Sequence, residues 1–247
     1  MKLILVLFLL ASEAWPRCAT GTIGLWSWEQ NANDICGTYN ALSTNGTASY
    51  SVSLPVPKDR FYSLSPSGAV DFTMPEALVT FMNARVPWSV QVWSYRSASR
   101  ATNNYVYGSS LLAAYGPFLQ LGDATTDNIR FDTRAGSVTP LVYTVDPTDW
   151  REVWHHIAAV GAASNSRQIY ADGALVASDT GNGTHDTMDT IYIGRFGTVD
   201  TNMSSWIDQF RLMSTAGTAF PTVDPAGSGS TFISNGSRLY PTLQTIR

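Results

Sequence analysis

This sequence predicts an all-β fold, an antiparallel β-sandwich of two packed sheets, and three observations carry the prediction. Apolar and polar residues alternate at period two in one stretch after another between about residues 22 and 213, and no long segment repeats at the helical period. The 19 glycines and 12 prolines are spread along the chain and punctuate those stretches without forming a low-complexity block. One hairpin is legible directly: Arg167-Gln-Ile-Tyr-Ala and Ala-Leu-Val-Ala177 flank Asp172-Gly173, a pair that supplies the positive φ angles of a two-residue turn. Many strands and no helix bury their apolar faces by packing sheet on sheet.

The clearest strands are Ser89 to Tyr95, Phe118 to Leu121, Asn128 to Thr133, Trp154 to Val160, Arg167 to Tyr170, Ala174 to Ser178, Thr190 to Gly194 and Trp206 to Leu212. Trp26, Trp28, Trp88, Trp93, Trp154 and Trp206 fall in or beside strands. Rings of that size fill the gap of about 10 Å between facing sheets, so most are expected in the core. Sandwiches of 200 to 250 residues commonly form one unit, and we read one domain over residues 20–220. Residues 221–247, with Asp224-Pro-Ala-Gly-Ser-Gly-Ser230, read as an extended tail.

Residues 1–19 have two readings. Lys2, the apolar run Leu3 to Leu10 and the small residues up to Ala14 have the layout of a short secretory signal, and the same stretch also reads as an N-terminal arm that is kept as a strand. The run is too short to span a bilayer, which takes roughly 20 residues, so no membrane span is expected. Cys18 and Cys36, the only cysteines, would pair in an oxidising compartment and close a short loop. A net charge of −4 with no cluster of Lys or Arg leaves no footprint for a phosphate backbone and sets nucleic acid aside. Glycosylation sequons occur at Asn45, Asn182, Asn202 and Asn235; this Asn, Ser and Thr content produces about two or three by chance, so they indicate glycosylation only in a eukaryotic secretory context.

Four blocks in order then carry a family resemblance: Trp154-His-His-Ile-Ala158, Arg167 to Ala177, Ile191-Tyr-Ile-Gly-Arg195 and Trp206-Ile-Asp-Gln-Phe-Arg-Leu212. They resemble the second half of laminin G-like jelly-roll domains of the concanavalin A-like superfamily. Gly24 to Asp34 is similar to the opening strand and turn of such domains, and Pro87 to Trp93 to their central strand. The resemblance covers about residues 21 to 213 and speaks for a jelly roll; it does not name a ligand.

Glycoside hydrolases of this fold set two or more acids at alternate positions of one strand. Glu13, Glu29, Glu76 and Glu152 are isolated here, and no Ser-His-Asp or Cys-His set is suggested, so no enzyme is expected. His155 and His156 would point to opposite faces of one strand and so not share a metal. The resemblance implies one possible cofactor, a structural Ca²⁺ held by oxygen ligands, with Asp34 and Asp208 at the matching positions and Gln209 where many members carry a second acid. The alternative is that Asp34 caps a turn.

Two functions are expected. The first is an extracellular recognition module, secreted or at the cell surface, that binds a glycan or protein through loop aromatics Tyr105, Tyr107 and Tyr115 and the loop carrying His185. The second is a structural part of a virus or bacteriophage particle, its terminal segments contacting other virion proteins.

Overall fold

The computed structural model describes residues 20–26, 33–36, 39, 42–45, 49–51, 63–65, 71–83, 86–96, 104–109, 117–122, 125–133, 139–181, 183–184, 187–197 and 205–216. The arm and tail expected at residues 1–19 and 221–247 lie outside them. In chain order the strands are β1 (Thr22–Trp26), β2 (Ser43–Asn45), β3 (Ser49–Ser51), β4 (Ser63–Ser65), β5 (Asp71–Thr73), β6 (Trp88–Arg96), β7 (Tyr105–Ser109) and β8 (Phe118–Leu121). They continue as β9 (Ile129–Asp132), β10 (Leu141–Tyr143), β11 (Trp154–Ala163), β12 (Ser166–Ala171), β13 (Ala174–Asp179), β14 (Ile191–Ile193) and β15 (Ser205–Met213). Two short helices, α1 (Glu76–Met82) and α2 (Pro147–Trp150), correct the expectation of none. Seven and four residues are too few for the helical period to show in a sequence.

One sheet runs β13-β12-β11-β6-β15-β4-β3, with β1 also on β15, and the other runs β10-β9-β8-β7-β14-β5-β2. All strand pairs are antiparallel, as a two-sheet sandwich requires. The predicted hairpin forms: Asp172 and Gly173 have φ of 48° and 83°, and Ala171 faces Ala174 across the turn.

The core lies between the sheets. Trp88, Val90 and Val92 of β6, Ile157 and Ala159 of β11, Ile169 and Ala171 of β12 and Phe210 and Leu212 of β15 face Leu119, Leu121, Ile129, Phe131, Ile191 and Ile193. Trp88 meets Phe131 edge-on at 5.7 Å, and its indole N–H donates to the Gly183 carbonyl at 2.8 Å, so this core indole has its polar atom satisfied. Ion pairs join elements at the rim. Arg167 of β12 donates to Asp132 of β9 at 3.1 Å and reaches Asp179 of β13, while Arg195 donates to Asp71 of β5 at 2.9 Å.

Strand β15 does not keep simple alternation. Asp208 faces Trp93 and Arg211 faces Gln91 on β6, so two residues of β15 stand against one of β6 between these pairs and one extra residue bulges out, with Gln209 at φ 51°. Ile207, Phe210 and Leu212 therefore point inward and Trp206, Asp208 and Arg211 outward. Among the described residues no helix is long and apolar enough to cross a membrane.

Candidate functional site

On the outward face of the first sheet, strands β11, β6 and β15 lie side by side. Tyr95 of β6 is in register with Trp154 of β11 on one side and with Trp206 of β15 on the other. The three rings form a row across the strands. The Tyr95 centroid is 5.7 Å from each indole, tilted 56° to Trp154 and 83° to Trp206. All three side chains are half-buried, so part of each ring meets solvent. The next row inward, His156 and Trp93 in edge-on contact at 5.2 Å beside Asp208, is buried. Beyond it Ala158, Val160 and Tyr170 form a small buried cluster with Ala162 and Ala216. The aromatic row is thus where large rings on this face reach solvent, and such a patch marks a contact surface more often than a lone exposed ring does.

The segment entering β11 adds a charge. Asp146 caps α2, its carboxylate accepting from the Thr148 N–H at 2.9 Å and from the Thr148 hydroxyl, and these bonds hold its pKa below the ordinary carboxylate range. After the helix, Arg151 bridges to Arg96, and the Glu152 N–H donates to the Arg96 carbonyl at 2.7 Å. This holds Glu152 at φ 59°, a left-handed conformation that costs a residue with a Cβ about 1 kcal/mol or more. The Glu152 side chain and the following Val153 are exposed. Burial first, and the charge of Glu152 second, raise the pKa of Tyr95, so its phenol stays neutral at physiological pH. Arg96 and Arg151 both turn to the fully buried Asp127, away from this face.

The aromatic residues expected at the site are placed differently. Tyr105 and Tyr107 are in strand β7, where a loop was expected, and both are buried. Tyr105 packs against Phe196 and Phe118 at 5.1 and 5.9 Å, and Tyr107 belongs to the core, its phenol held well above the ordinary range by burial and then by Asp132. Neither offers a free ring to a ligand. A short strand of bulky residues next to Gly108 carries no local mark that separates it from an aromatic loop. Tyr115 and His185 lie outside the described residues.

Of the six tryptophans read as strand residues, Trp26 and Trp88 are core, Trp93 is buried on the outward face, and Trp154 and Trp206 are in the row. Trp28 lies outside the described residues. A usable signal was present in β6: Ser89 and Gln91 share a face with Trp93 and Tyr95, so two aromatics continue the polar side of the strand. The histidines separate as expected. His155 pairs with Asp172 at 2.6 Å and stacks on Trp150 at 3.8 Å, while His156 lies against Trp93 on the other face.

The described residues do not fit a calcium ion at Asp34 and Asp208. Asp34 Oδ1 accepts the N–H groups of Leu25 and Cys36 at 3.0 and 2.9 Å, and Oδ2 accepts that of Tyr39 at 3.1 Å. That carboxylate pins the turn after β1, whereas calcium needs six to eight oxygens turned toward it. Asp208 is fully buried opposite Trp93, and no group of three His, Cys, Asp or Glu converges among the described residues. Cys36 is disulfide-bonded; Cys18, the other cysteine, lies outside the described residues.

A family model described as the concanavalin A-like lectin/glucanases superfamily, Laminin_G_3, matches residues 67–219. The chain belongs to this family. Comparison with curated protein sequences finds no match. Among solved structures, this Laminin_G_3 chain is similar to domain 4 of AbnA, a GH43 extracellular arabinanase from Geobacillus stearothermophilus solved with arabinotriose. The TM-score is 0.54 at 13% identity, over 84% of this chain and 96% of that one. It is also similar to the binding domain of botulinum neurotoxin serotype D/C (TM-score 0.59, 14% identity, 80% of this chain and 49% of that one). The binding domain of botulinum neurotoxin DC in complex with SialylT gives 0.57 at 15% identity, over 81% and 49%. The Laminin_G_3 chain spans about half the length of the toxin binding domains. At these identities the likeness is one of fold.

Proposed function

We propose that this Laminin_G_3 domain is a non-catalytic recognition module that binds a glycan on the outward face of its first sheet, against Trp154, Tyr95 and Trp206. The observation that carries the reading is the half-exposed row of three rings at the solvent end of that face. Sugar rings present apolar C–H faces that pack on aromatic rings, and neighbouring hydroxyls bond to polar tips such as the Tyr95 phenol. The carbohydrate ligands named for two of the structural neighbours support the reading by analogy only.

Six of the described aspartates are held by partners, which supports a role without catalysis. Asp34 is held by backbone N–H groups, Asp71 by Arg195, Asp127 by Arg96 and Arg151, Asp132 and Asp179 by Arg167, and Asp172 by His155. Carboxylates tied up in this way are poorly placed to act as the acid and nucleophile of glycoside cleavage.

A glycan array followed by calorimetry tests the site. Trp154→Ala is expected to weaken the best ligand roughly thirtyfold, the effect of truncating an aromatic anchor worth about 2 kcal/mol, while circular dichroism shows the fold retained. No binding on the array, or equal binding by the variant, would remove this face as the site.

Secretion belongs to the same proposal and rests on residues 1–19 and on a bridge between Cys36 and Cys18. The intact, non-reducing mass of the native protein is expected to start near Trp15 and to fall by about 2 Da for one disulfide. A mass that retains Met1 with two free thiols would sink secretion and favour the particle component, whose contacts would then be sought in the terminal segments.

A further inference from the structure

We propose that the aromatic row selects its sugar by charge, favouring one that carries a free, protonated amine over N-acetylated and acidic sugars. This rests on the glycan site proposed above and adds the ligand's chemistry. Three arrangements in the structure point to it.

The first is the shape of the row. With tilts of 56° and 83°, the indoles of Trp154 and Trp206 do not continue the plane of Tyr95. They stand on either side of it, about 10 Å apart across two strand spacings. A flat platform would suit the face of an extended polysaccharide. A notch with a ring as floor and rings as walls suits a compact group presented end-on. The ring faces carry the negative lobe of the aromatic quadrupole, which attracts an ammonium and repels a carboxylate.

The second is Glu152, an exposed carboxylate beside Tyr95. Its backbone is held left-handed by the hydrogen bond to the Arg96 carbonyl, at a position where glycine or asparagine would fit with less strain. Strained positions of this kind concentrate at functional sites.

The third is the placing of the positive charges. Among the described residues Arg96 and Arg151, the cations flanking Tyr95 and Glu152 in sequence, are committed to the buried Asp127. Arg211 is on the same face as the row but pairs with Gln91, four residues along β6 from Tyr95, roughly 13 Å away and beyond a Debye length of about 8 Å. Among the described residues the notch is left with one nearby unpaired sign, the negative one of Glu152.

The test measures binding of three tetrasaccharides to the full chain at pH 6: β-1,4-glucosamine, its N-acetylated form and a galacturonic acid oligomer. Each is titrated at 20 and 300 mM salt into the wild type, Glu152→Gln and Trp154→Ala. The amine-bearing oligomer is expected to bind about tenfold more tightly than the N-acetylated one at low salt, with the acidic oligomer weakest. Glu152→Gln should reduce that preference to about threefold or less, as should high salt. Trp154→Ala should abolish the specific binding, which separates it from general attraction of a polycation to an acidic protein. Equal affinities in the wild type, or a preference untouched by Glu152→Gln, would overturn the charge selection and leave the glycan site standing. Binders on the glycan array with none among these three oligomers would overturn the charge selection in the same way. An empty array would remove both.

Discussion

Replacing Gly161 with alanine is expected to remove a large fraction of the stability of the domain. Gly161 is in β11 between Trp88 of β6 and Arg167 of β12, and the backbone of Gly183 crosses directly above it. A Cβ at this position would lie 2.2 Å from both the Gly183 carbonyl oxygen and the Trp88 Nε1 atom. Neither can move aside independently, because the two are hydrogen-bonded to each other and Trp88 is fully buried in the core. The methyl therefore breaks that bond, leaving a buried indole N–H without an acceptor, displaces the Trp88 ring, or does both. Overpacking of this kind costs about 1–3 kcal/mol and an orphaned buried donor about the same, so a methyl that does both costs roughly 2–6 kcal/mol. That is a large fraction of the 5–15 kcal/mol typical of a whole domain. Urea unfolding followed by tryptophan fluorescence measures it. A loss below about 1 kcal/mol would show that the Gly183 segment yields and does not clamp the core.

Arg167→Met is the second large effect. The guanidinium is almost fully buried and joins three groups through four oxygens: Asp132 at 3.1 Å, both oxygens of Asp179 and the Thr139 carbonyl at 3.1 Å. Asp132 has no exposed side-chain surface, so methionine would leave a buried charge with its cation gone, whereas Asp179 at 33% exposure is rescued largely by water. Breaking one half of a buried pair costs about 3–5 kcal/mol, most of it the stranded charge. The double variant Arg167→Met with Asp132→Asn removes the charge as well and is expected to recover more than half of the loss. Additive losses in that cycle would show the pair to be energetically independent.

Neither position carries a mark of its role in the sequence. Gly161 falls just past the strand read over Trp154 to Val160, and Arg167 reads as the first residue of a hairpin arm. What made them critical was the loop that crosses one and the second sheet that faces the other. The same holds for Tyr107: a tyrosine among polar residues and glycine reads as exposed until β8 and β14 close over it from either side.

What the sequence by itself determined is local. The Asp172-Gly173 turn, the strands around it, the separation of His155 from His156 and the jelly-roll membership all follow from turn chemistry, period-two patterning and short blocks in order. The aromatic row was decided by tertiary structure, because it joins residues 95, 154 and 206 through strand registers that no window of sequence contains. Strict alternation would place Trp206 on one face with Phe210 and Leu212, in the core. The bulge at Gln209 shifts the strand so that Trp206 turns outward while Phe210 and Leu212 stay in. Which face a strand residue shows depends on its partner strand's register, and one irregular residue there reverses it.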